Sequence, residues 1–90
     1  MLIKLFGSLR MVVPGGRVEV GYRPTVADLL DELFAQHPAL RAEVLHPDRM
    51  ELLPHVNIML NGRLVRDLQG LQTAVADGDT LAIFPPSAGG

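Results

Sequence analysis

Apolar residues recur at every second position in several short stretches of the chain and at every third or fourth position in one longer stretch, and that change of period predicts the fold. Leu2 to Phe6 predict a first strand, with Ile3 and Leu5 on one face and Leu2, Lys4 and Phe6 on the other. Pro14-Gly15-Gly16 marks a turn. Arg17 to Tyr22 then alternate again, which places Val18, Val20 and Tyr22 inward and Arg17 and Glu19 outward. Two strands so close in sequence predict an antiparallel hairpin, although Met11-Val12-Val13 in its loop have no evident role.

After Arg23-Pro24 the period lengthens. Val26, Leu29, Leu30, Leu33 and Phe34 form one apolar stripe of a helix, with Asp31, Glu32 and Gln36 on its polar side. Thr25 suits the N-cap, Asp28 completes a short-armed capping box, and Pro38 ends the helix near His37. Leu40 to Leu45 predict a short second helix, and His46-Pro47-Asp48 a loop. Val56 to Leu60 predict a third strand with Val56, Ile58 and Leu60 inward. Asn61-Gly62 is a strong hairpin turn into a short strand at Arg63-Leu64-Val65. Leu68, Leu71 and Val75 are available to tuck beneath the sheet. Asp77-Gly78-Asp79 turns the chain into a last strand, Thr80 to Phe84, with Leu81 and Ile83 inward.

The order strand, strand, helix, strand, short strand, strand predicts an α+β fold of the β-grasp kind, a mixed four- to five-stranded sheet packed on one main helix. The two end strands then suit a parallel pairing in the middle of the sheet, which the sequence alone leaves open. Ninety residues fit one domain, taken as 1–84, followed by a flexible C-terminal Gly-Gly tail at 85–90. With 48% hydrophobic and 4% aromatic residues the core is aliphatic. A net charge of −2 without a Lys/Arg cluster gives no footprint for nucleic acid. No long apolar run predicts a membrane span or signal peptide, and a cytoplasmic location is expected. The absence of cysteine excludes disulfides, thiolate metal sites and a thiol nucleophile.

His37, His46 and His55 lack the spacing of a metal site, and Asp77-Gly78-Asp79 lacks the other ligands of a calcium loop, so no metal and no bound cofactor are expected. No nucleophile and base are paired, so the chain is not expected to catalyse a reaction alone. Its distinctive chemistry lies at the end. Pro85-Pro86 must stop the last strand, because proline donates no ladder hydrogen bond, and two prolines favour a stiff extended segment. Ser87-Ala88-Gly89-Gly90 follow, small enough to enter a narrow channel, and six residues from Pro85 reach at most about 20 Å. A terminal Gly-Gly arises by chance in roughly 0.5% of chains, and a frayed end is the plain alternative. The outward residues Leu2, Phe6, Met59, Ala82 and Phe84, placed beside the root of this tail, form a candidate docking patch for a partner protein. Scattered surface residues, or a one-residue slip of register, fit the same pattern.

Taken together, Leu5-Phe6-Gly7-Ser8-Leu9-Arg10, Thr25-Val26-Ala27-Asp28-Leu29-Leu30, Val56-Asn57, Asn61-Gly62, Asp77-Gly78-Asp79 and the ending Pro85-Pro86-Ser87-Ala88-Gly89-Gly90 resemble the MoaD/ThiS family of ubiquitin-like sulfur carriers. The match is best to the small-subunit carriers of molybdopterin synthase, and the ending is its specific part. Met11 departs from the acidic residue often found there, Glu43 to His55 form a generous loop, and Leu68 to Thr73 look more like carriers serving cysteine synthesis or archaeal-type modifiers. The resemblance implies that a ubiquitin-activating-type adenylating enzyme spends ATP to activate Gly90. Sulfur then replaces AMP to give a thiocarboxylate, with Gly89 giving clearance and Pro85-Pro86 aiming the tail. The implied acceptor is the molybdopterin synthase large subunit or another sulfur-accepting enzyme, of the cysteine, thiamine or tRNA-thiolation kind. Two other functions remain open: a modifier joined to lysines through Gly90, and a plain interaction domain.

Overall fold

The computed structural model describes residues 1–86. Ser87, Ala88, Gly89 and Gly90, expected from the sequence to form the reactive end of the tail, therefore lie outside the described residues. Five strands, β1 (Leu2–Leu5), β2 (Arg17–Glu19), β3 (Asn57–Leu60), β4 (Arg63–Leu64) and β5 (Thr80–Phe84), form one sheet in the order β2-β1-β5-β3-β4. β1 and β5 run parallel in its middle, and the remaining neighbours are antiparallel. Beyond β1 the hairpin loop folds into a one-turn helix, α1 (Leu9–Val12). Leu9 and Val13 enter the core there and Met11 stays 86% exposed, which gives this apolar run the role that the sequence did not reveal.

The main helix, α2 (Val26–Gln36), begins where expected. The Asp28 backbone N–H donates to the Thr25 hydroxyl at 3.2 Å, a cap worth about 1 kcal/mol. Its stripe of Val26, Leu29, Leu30, Leu33 and Phe34 is buried against Ile3, Leu5, Val18, Ile58, Leu60, Leu81 and Ile83 from the inner face of the sheet. His37 N–H closes the last turn on Leu33 O, and Pro38 opens a 3-10 turn that leads into the short helix α3 (Arg41–Val44). Leu40, Val44 and Leu45 seal the end of the core. Among the described residues no helix is long and apolar enough to cross a membrane.

Tyr22 corrects the sequence reading: it is 48% exposed and not inward. The ladder explains why. β2 ends at Glu19 and Val20 N–H makes the last bond to this side of the sheet, at Met1 O, so no ladder holds Tyr22 to the alternation. At the other hairpin, Asn61 (φ 51°) and Gly62 (φ 82°) adopt the left-handed pair that a tight two-residue turn demands. Asn61 also fastens this turn to the start of β5, donating to Asp79 at 2.8 Å and accepting from Thr80 N–H at 2.9 Å. The Ala76 N–H, and then the Asn61 amide, hold the Asp79 carboxyl below the usual carboxylate range.

Candidate functional site

The outer face of the sheet is arranged in rungs, set by strand register. Lys4 is level with Arg17 on one side and Ala82 on the other, and Ala82 is level with Met59, which faces Leu64. Phe84 is level with Asn57, and Leu2 with Thr80. Leu2, Phe6, Met59, Ala82 and Phe84 are all partly exposed on this face, as the alternation predicts. Leu2, however, is four residues from Phe6 along β1, about 13 Å at 3.3 Å per residue. It shares the face but not the root of the tail, because register rather than sequence proximity to the end decides which side chains meet.

At the root itself β1 and β5 deliver two aromatic rings together. Phe6 N–H donates to Ile83 O at 3.1 Å, and the rings of Phe6 and Phe84 lie stacked, with centroids 4.5 Å apart and planes 8° from parallel. Such a pair contributes about 0.5–1.5 kcal/mol beyond its buried area. α1 supplies the cation. The Arg10 guanidinium sits 5.3 Å from the centroid of the Phe6 ring, while its Nε donates to Leu5 O at 3.1 Å.

Gly7 follows, in a left-handed conformation (φ 56°), and Pro85 rests against it. A Cβ placed on Gly7 would lie 2.9 Å from Pro85 Cγ, closer than packed atoms approach, so the residue must be glycine for the proline ring to take this seat. The chain thus leaves β5 over a fixed support.

Phe6, Gly7 and Ser8, the Phe84-Pro85-Pro86 segment, and Met59, Leu64, Asn57 and His55 line one open groove. It is mainly apolar, and no carboxylate or lysine lines it among the described residues. Asn57 Oδ1 is buried there without a hydrogen-bond partner among the described residues. A surface of this kind binds.

The structure brings Phe6, Met59 and Phe84 of the expected docking patch together with Pro85 and Pro86 of the expected tail in this groove. Ala82 lies one rung away. Gly7, Ser8, Asn57, His55 and Leu64 were missed as groove residues; the Phe-Gly pair at the end of β1 was the signal available for Gly7. Gly90, Gly89, Ala88 and Ser87 are placed by sequence only.

Comparison with known proteins fits this geometry. The ThiS family model matches residues 3–90. Small archaeal modifier protein 1 of Haloferax volcanii is 43% identical, over 97% of this chain and 97% of its own length. Small archaeal modifier protein 3 of the same organism is 38% identical, over 98% of this chain and 96% of its length. A chain in the crystal structure of the Amycolatopsis orientalis BexX/CysO complex superposes with a TM-score of 0.84 at 31% identity, covering 99% of this chain and 98% of that one. The chain therefore belongs to the ThiS family, a β-grasp, ubiquitin-like protein of the sulfur-carrier or modifier type.

Proposed function

We propose that the chain is a carrier whose Gly90 carboxylate is activated by a separate adenylating enzyme and converted to a thiocarboxylate. The observation that carries this reading is the seat of Pro85 on Gly7, which brings the chain out of β5 beside a mainly apolar groove. The chemistry requires help. A carboxylate of pKa about 3.5 is ionised and a poor electrophile, so ATP must first convert it to an acyl adenylate. Sulfur from a persulfide donor then displaces AMP, and the docked enzyme receives the product. Phe6, Met59 and Phe84 form the docking surface, with Ala82 at its margin and Leu2 at its far end.

Delivery of the sulfur to a pyranopterin by a molybdopterin synthase large subunit rests on the sequence resemblance. Relatives named as modifiers, and a neighbour in complex as CysO, support the broader reading of a carrier or conjugated modifier. The modifier reading makes the same activated Gly90 acylate a lysine of a target protein, and isopeptide-linked adducts in cells expressing the chain distinguish it. Both readings need the last two residues. Deleting Gly89 and Gly90 is expected to abolish ATP-dependent activation, measured as pyrophosphate release with the cognate adenylating enzyme, while circular dichroism and the melting temperature stay unchanged. Wild-type release from the shortened chain contradicts the proposal.

A further inference from the structure

Lys4 is the single lysine among the eight Lys and Arg residues of the chain, and it stands in the centre of the outer face. The chain offers one other amine, the α-amine of Met1. That amine is engaged, bonded to Val20 O and 3.4 Å from the Glu19 carboxylate. The arginines do not compete, because a guanidinium stays protonated and is no acyl acceptor under ordinary conditions.

Lys4 has a costly neighbour. It lies directly opposite Arg17 across the β1–β2 ladder, both on the outer face, and like charges so placed repel. Neither is in an ion pair among the described residues. Two uncompensated cations beside Ala82 and one step from Phe6 suit a partner that brings carboxylates over the same rung.

We propose that Lys4 is an acylation site, and that acylation there closes the docking face. This rests on the docking role given above to that face. The donor is an acyl thioester. Lys4 gives one proton to solvent and its free amine attacks the thioester carbonyl. The C–N bond forms, the C–S bond breaks, and the leaving thiolate takes the second nitrogen proton. The product amide carries no charge and projects a new group from the central rung. The partner's carboxylates then lose one of their two cations, and the apolar contact at Ala82 and Phe6 is obstructed.

Acetylation of the full chain with the N-hydroxysuccinimide ester of acetic acid, followed by peptide mapping and calorimetric titration with the cognate adenylating enzyme, tests this. Acetyl is expected on Lys4 with the Met1 amine spared, and Kd is expected to rise at least tenfold with the circular dichroism spectrum unchanged. K4R, treated identically, is expected to keep the Kd it had before treatment. An unchanged Kd for the Lys4-acetylated chain, or a label at Met1 in place of Lys4, overturns the inference while leaving the carrier reading intact. Failure of the untreated chain to bind the enzyme or be activated by it overturns both.

Discussion

Gly7→Val is expected to lower the kcat/KM of adenylation of this chain by about 10- to 100-fold while the domain still folds. The substitution meets two obstacles at once. At φ 56° a β-branched residue is strained, at a cost of about 1–3 kcal/mol. Its Cβ also falls 2.9 Å from Pro85 Cγ, so the proline ring must leave its seat. A domain of this size has about 5–15 kcal/mol of stability and survives the strain. The exit of the chain does not survive unchanged, and a misplacement of about 1 Å at a reacting group costs up to 100-fold in rate. Pro85→Ala in the same chain removes the obstructing ring and is expected to recover part of the loss, which a general weakening of the fold would not allow. Adenylation of Gly7→Val at the wild-type rate would show that the seat does not aim the tail.

Ile83→Ala is expected to have the largest effect on stability, about 2–5 kcal/mol, and to lower the melting temperature by 10 °C or more. Ile83 is fully buried in the central strand, level with Leu5 of β1 and Ile58 of β3, both of which are buried too. Removing its side chain opens a cavity where three strands meet α2, and no neighbour is free to fill it. Ala82→Ser, one residue away on the outer face, is expected to stay within about 0.5 kcal/mol of wild type. Thermal unfolding of the two variants side by side checks the inward and outward assignment of β5; equal losses would contradict it.

That assignment was readable because one face of each strand is dry. Ile3, Leu5, Ile58, Leu60, Leu81 and Ile83 alternate with wetter residues, and a slip by one position would expose them all. The α2 stripe and its Thr25 cap were readable for the same reason, a period matched to burial. Tyr22 was misread where the ladder had run out of partners. Leu2 was grouped with Phe84 because a strand pattern gives the face of a residue but not its rung, and rungs depend on the parallel pairing of β1 with β5 that α2 and the sheet order impose. The stack of Phe6 on Phe84 and the seat of Pro85 on Gly7 were hidden for that reason too. Each joins the two ends of the sequence, and no local propensity reports contacts between segments so far apart.

Conversion of the Gly90 carboxylate is read from the intact mass of the chain after incubation with a cognate adenylating enzyme, ATP and a persulfide sulfur donor. A gain equal to exchange of one oxygen for sulfur is expected, located at Gly90 by fragmentation and absent without ATP. An unchanged mass, under conditions in which another carrier of the family is converted, would contradict it.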